Sequence, residues 1–96
     1  MLEEARPGPD ERIAAAPAEI VLTLGEPAEP ALSRIRVTDA GGQQVDLGNL
    51  APGKDGAKTL TIGLKPLAPG QYRVEWVVVS VDTHRTEGSY SFVVAP

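Results

Sequence analysis

The chain has no cysteine, one histidine, one methionine and few aromatics: one tryptophan, two tyrosines and one phenylalanine. Without cysteine there is no thiolate nucleophile, no disulfide framework, no Cys-ligated zinc and no blue-copper centre. A single imidazole, His84, excludes catalytic histidine pairs and multi-histidine metal cages built from this chain alone. Positive charge is also short. Nine Lys+Arg stand against thirteen Asp+Glu, a net charge of −4, and phosphate backbones are held by clustered Lys and Arg, so nucleic acid is not an expected partner. No apolar run approaches the roughly 18–20 residues of a membrane helix. The first residues lack the basic-then-apolar pattern of a signal peptide, so the expectation is a soluble chain, either cytoplasmic or already trimmed.

What is present is one domain's worth of short, punctuated segments. At 96 residues the expectation is a single domain over 1–96 that buries roughly 60–70 % of its unfolded surface, so a metal would be a ligand and not the keystone of the fold. Nine prolines and ten glycines separate β-branched stretches with period-2 alternation, the pattern of an all-β Greek-key sandwich or barrel. Residues 19–26 put Ile20, Leu22 and Leu24 on one face, and Gly25-Glu26-Pro27 ends the run. Residues 32–38 set Ile35 and Val37 against Arg34 and Arg36. The turn Asp39-Ala40-Gly41-Gly42 predicts a hairpin completed by 43–47, and 48–58 reads as a surface loop. Strands are predicted at 59–64, 72–79 and 89–94, with a short one near 1–5, about seven in all. Ala14-Ala15-Ala16 has room for one helical turn before Pro17. Leu67-Ala68-Pro69-Gly70-Gln71-Tyr72 looks like a tyrosine corner, in which the phenol pins the preceding loop. Trp76 reads as the central core anchor, since an aromatic side chain buries so much area.

Chemistry concentrates in residues 80–88, Ser-Val-Asp-Thr-His-Arg-Thr-Glu-Gly. If the chain is extended there, Asp82 and His84 project to one side about 6–7 Å apart, close enough to share an ion. Imidazole with carboxylate suits Cu(II), Zn(II) or Ni(II), with Cu(II) held most strongly. The competing reading is an exposed loop histidine whose ring pairs with Asp82 or Glu87.

Three blocks in order and spacing carry a resemblance over nearly the whole chain. They are Ala16-Pro17-Ala18-Glu19-Ile20-Val21-Leu22-Thr23-Leu24 with Glu26-Pro27; Leu67-Ala68-Pro69-Gly70-Gln71-Tyr72-Arg73-Val74-Glu75-Trp76; and residues 80–84 with Gly88-Ser89-Tyr90-Ser91-Phe92-Val93-Val94. Together they resemble the CopC family of bacterial periplasmic copper-binding proteins. The resemblance implies a cupredoxin-like Greek-key barrel binding one Cu(II), with ligands from the D-x-H loop, here Asp82 and His84, and from an N-terminal histidine that gives its α-amine and imidazole. Thr83 stands where the family usually has glycine, which costs the loop a residue free to take positive φ. The family's opening H-A-x-L…P survives only as Leu2 to Pro7, and the missing His-Ala would fall just before Met1. The chain is then either trimmed or recloned, which is the expectation, or from a branch lacking that ligand.

Asp82 and His84 supply half of a tetragonal Cu(II) site, and the Met1 α-amine is a possible stand-in for a third donor, its thioether preferring Cu(I). Weak Cu(II) binding is therefore expected of this chain and tight binding of one carrying the histidine. Glu26 fits a family position that orients a ligand by hydrogen bond, against the alternative of a solvated strand-end glutamate. With Met1 the sole methionine, the resemblance points to the Cu(II)-only type. It implies a periplasmic carrier or chaperone for copper resistance or uptake, with the copper ion and an inner-membrane copper transporter as partners. The acidic charge and lack of an exposed apolar strip point to a monomer, and with only Asp82, Glu87 and Arg85 near His84 no enzyme is expected. The alternative is a metal-free β-sandwich interaction module, a fragment of a larger membrane-associated copper protein.

Overall fold

The computed structural model describes residues 2–53 and 56–95. Eight strands follow in chain order: β1 (Leu2–Arg6), β2 (Arg12–Ile13), β3 (Glu19–Leu24), β4 (Arg34–Asp39), β5 (Ala51–Gly53), β6 (Gly56–Gly63), β7 (Gly70–Val79) and β8 (Arg85–Val94), with one 3₁₀ turn at Pro30–Leu32. They form two four-stranded sheets, β1-β3-β6-β5 and β2-β8-β7-β4, and the chain crosses between them repeatedly, giving the expected Greek-key β-sandwich. No helix among the described residues is long and apolar enough to cross a membrane.

Alternation decides the core. Ile20, Leu22 and Leu24 of β3 face Ile35, Val37, Val74, Val78, Phe92 and Val94 of the other sheet, all buried, and Leu60 and Ile62 of β6 complete the layer. Tyr72 and Phe92 stack with ring centroids 5.6 Å apart. The tyrosine corner is present: the Tyr72 hydroxyl donates to the Ala68 carbonyl, fixing the entry to β7.

Trp76 is not the central anchor. The fully buried large side chains are Phe92, Ile20, Leu22, Leu60, Ile62, Val37 and Val74, while Trp76 is only partly buried against them. Its register partner across β7 and β8 is Gly88. With no side chain at Gly88 the indole lies over that backbone, and an added Cβ there would meet Trp76 Cζ2 at 2.8 Å. The predicted 48–58 loop carries β5 and the start of β6. The segment 43–47 begins a hairpin, with Val45 N–H donating to the Val37 carbonyl at 2.8 Å and Gln44 bridging Thr38. It then leaves for the other sheet, where Asp46 bridges Leu64. In place of a continued ladder, the buried Asp46 carboxylate takes the Val37 N–H at 2.8 Å. The alanines at 14–16 form no helical turn.

The first strands straddle both sheets. β1 pairs antiparallel with β3, placing Leu2 opposite Leu24, and β2 pairs parallel with the end of β8. Tyr90, reaching from β8, donates its hydroxyl to the Pro7 carbonyl at 2.8 Å and ties the connection between them.

Candidate metal centre

Two loops meet at one end of the sandwich. The first follows β3 and contains Glu26; the second joins β7 to β8 and contains Asp82 and His84. Backbone bonds hold them side by side: Val81 N–H donates to the Pro27 carbonyl at 3.0 Å, Glu29 N–H to Val79 at 2.7 Å, and Ala28 bridges Ser80.

The β7–β8 loop is a turn, so the extended geometry on which the spacing of about 6–7 Å between Asp82 and His84 depended is not the one adopted. Ser80 N–H donates to the His84 carbonyl at 2.8 Å and Thr83 N–H to the Ser80 carbonyl at 2.9 Å. Thr83 adopts the left-handed conformation, φ 66°, that glycine would take freely and a β-branched residue takes at a cost of about 1–2 kcal/mol. Folding the loop back brings His84 Nδ1 to 4.0 Å from Asp82 Oδ2, with side chains 83 % and 56 % exposed. That is too long for a hydrogen bond and worth little as an ion pair at such exposure. Glu87, the other carboxylate considered for the ring, instead pairs with Arg85 at 3.3 Å.

Glu26, Asp82 and His84 form the only cluster of three potential metal donors among the described residues, their ligand atoms all within 4.8 Å of one another. Two donors each about 2 Å from one ion stand at most about 4 Å apart, so small rotations of exposed side chains suffice to bring all three onto it. Glu26 thus offers a donor atom within the same 4.8 Å as Asp82 and His84. Met1 lies outside the described residues. Leu2, paired with Leu24, is at the sandwich end that carries Glu26.

Ser80, which opens the 80–88 run, has no role that its sequence position announces. Ser80 is buried, its hydroxyl donates to Asp82 Oδ1, and the same oxygen accepts the His84 N–H at 3.1 Å. One side chain thus orients the carboxylate and fixes the backbone that carries the imidazole. The Ser80 hydroxyl holds the Asp82 carboxyl below the usual carboxylate range; desolvation opposes it, while the His84 backbone N–H and Glu26 act in the same direction as Ser80. The available signal was the alternation of β7, which continues Val74, Val78 and Ser80 along the inward face.

Residues 2–95 match the CopC domain. The chain is similar to Copper resistance protein C of Xanthomonas campestris pv. juglandis, 37 % identical over 91 residues that cover 88 % of this chain and 72 % of that protein. It is 32 % identical over 90 residues to Copper transport protein CutJ of Bacillus subtilis (strain 168), covering 93 % of this chain but only 17 % of that longer protein. The crystal structure of CopC from Methylosinus trichosporium OB3b superposes with a TM-score of 0.91 at 35 % identity, covering 100 % of this chain and 93 % of that one.

Proposed function

Because this chain belongs to the CopC family, matching its domain over residues 2–95, we propose that it is a periplasmic Cu(II) carrier, serving copper resistance or supplying an inner-membrane copper transporter. Cu(II) is cargo in this reading, and no reaction is catalysed. Asp82 contributes a carboxylate oxygen and His84 an imidazole nitrogen. The Met1 α-amine is the third donor in this reading, and Glu26 orients a donor or caps the ion. The observation that carries the reading is the convergence within 4.8 Å of Glu26 from the loop after β3 with Asp82 and His84 on a turn pre-shaped by Ser80. Borderline N and O donors in an open, exposed arrangement favour Cu(II) within the divalent series. The site is reachable by a partner and carries little of the core, as release of cargo requires.

Cu(II) titration followed by the d-d absorption band tests this, on the chain as it stands and on one extended by His-Ala ahead of Met1. The extended chain should bind more tightly. In that background His84→Ala should weaken binding by about 100-fold or more, about 2.7 kcal/mol, without altering the fold, and affinity should fall at acidic pH as imidazole and amine protonate. Equal affinities of the two chains, or indifference to His84→Ala, would refute the assignment. The 17 % span of the B. subtilis relative favours a second arrangement, in which this domain is one part of a longer, membrane-associated copper protein. Metal content after purification without chelators separates a copper-handling domain from a metal-free interaction module.

A further inference from the structure

The chain is acidic overall, yet four of its six arginines, Arg34, Arg36, Arg73 and Arg85, occur at the exposed positions of β4, β7 and β8. These strands are consecutive in one sheet; Arg34, Arg36 and Arg73 point outward because their neighbours Ile35, Val37, Tyr72 and Val74 point into the core, and Arg85 shares their face through its register with Val79. Across this face Arg36 stands opposite Glu75 and Arg34 opposite Val77; Val77 in turn stands opposite Glu87. Arg85 pairs with Glu87 and Arg73 with the Ser89 hydroxyl at 3.0 Å. Among the described residues no carboxylate lies within 4.0 Å of Arg34 or Arg36. Between them and Glu75, Val77 and Glu87 the surface dips into an open cleft of about 380 Å³.

A smaller cleft of about 230 Å³ adjoins it, lined by Leu32, Arg34, Val77 and Arg85. Leu32 is 61 % exposed, and Val81, in the turn before His84, is 56 % exposed. Leu32 and Val77, with Arg34 and Arg85 beside them, form a surface of mixed apolar and cationic character.

We propose that the outer face of β4, β7 and β8 docks an acidic protein segment, an apolar side chain of which seats between Leu32 and Val77 while its carboxylates pair with Arg34 and Arg36. The composition of the face favours a protein over an anionic membrane. Glu75 and Glu87 sit among the arginines, so a uniformly negative sheet of lipid headgroups would meet repulsion at the centre, whereas a segment with separated carboxylates and an apolar knob matches the lattice of charges. Arg85, which lines the smaller cleft, directly follows His84 in the chain, so a segment docked there lies along the strand that leaves the Cu(II) loop. In that respect the inference rests on the carrier reading and names the kind of partner that exchanges the ion.

The test is run without copper, so that it fails or succeeds independently of the Cu(II) titration. An acetylated hexapeptide of alternating glutamate and leucine is titrated into the isotope-labelled chain, beside its lysine-for-glutamate counterpart. The acidic peptide should saturate shifts in the amides of Arg34, Arg36 and Val77, with an affinity that falls as salt rises, and the lysine peptide should not. The double variant Arg34→Glu, Arg36→Glu should lose at least about tenfold in affinity while its circular dichroism matches the parent. Equal response to both peptides, shifts centred on another face, or an unaffected double variant would overturn the proposal. Co-sedimentation with phosphatidylglycerol vesicles, lost in the double variant, would also overturn it by assigning the face to lipid.

Discussion

Replacing Asp46 should unsettle the fold out of proportion to its place in a connection between strands. Asp46 is buried, 4 % exposed. Its Oδ2 accepts the Val37 N–H at 2.8 Å, and its Oδ1 accepts Gln44 Nε2 and the Gly48 N–H, both at 3.0 Å. Val37 is fully buried, so its amide has no water to turn to if the acceptor is lost. A buried donor left unpaired costs about 1–3 kcal/mol, and hydrogen bonds to a charged acceptor contribute about 1.5–3 kcal/mol each. Asp46→Ala should therefore destabilise by about 3 kcal/mol. Asp46→Asn is the sharper probe, because an amide has one acceptor oxygen and the site presents donors on both sides. With the oxygen toward Gly48 and Gln44, the NH₂ faces the Val37 N–H; flipped, it faces the other two. The expected cost is about 2 kcal/mol, which for a domain near 100 residues lowers Tm by about 8–16 °C. Urea unfolding followed by circular dichroism measures both variants. An Asp46→Asn protein within about 0.5 kcal/mol of the parent would refute the claim that three converging donors make the carboxylate irreplaceable.

Gly88→Ala would push a methyl group to 2.8 Å from Trp76 Cζ2 and 3.1 Å from Cε2. The ring must move outward, costing about 1–3 kcal/mol and shifting the emission of the only tryptophan to the red; unchanged emission and stability would show that the indole does not lie over Gly88 in solution. At Tyr90, burial, with the Glu11 carboxylate adding to it, pushes the phenol above its ordinary range. A folded-state pKa above the unfolded one means that this contribution is complete below about pH 10 and is lost as pH rises further. The parent should thus lose stability above pH 10 more steeply than Tyr90→Phe in urea titrations at stepped pH, and parallel curves would count against the assignment.

The all-β class, the inward sets of β3, β4, β6 and β7 and the tyrosine corner were legible because each depends on local alternation or a fixed turn signature. The pairing of Tyr72 with Ala68 spans only a few residues, and pattern reaches that far. Trp76 was misplaced because alternation gives the face but not the depth, and the depth was decided by Gly88 on the neighbouring strand. The exit of 43–47 into the other sheet was hidden for a similar reason. An aspartate side chain, and not a continued backbone ladder, closes that edge of β4. At the candidate site the residue types of Asp82 and His84 were readable, as was Glu26. Their convergence through a turn was not, since it depends on Ser80 bonding in two directions and on Thr83 holding a backbone conformation that its side chain disfavours.

The way the sheets end has a consequence for how the molecule behaves in a crowd. β2 and β5 are two and three residues long, and β5 includes Pro52 with a register shift beside it. β1 carries a register shift between Leu2 and Glu4. The outward groups of β4 at Val37 and Asp39 are already occupied, by Val45, by the Asp46 carboxylate and by Gln43. A second polypeptide looking for a long, flat row of free amides and carbonyls to extend finds each border short, irregular or already taken. Such borders keep a β-rich protein dispersed at high concentration, and they leave recognition to side chains on its faces and loops.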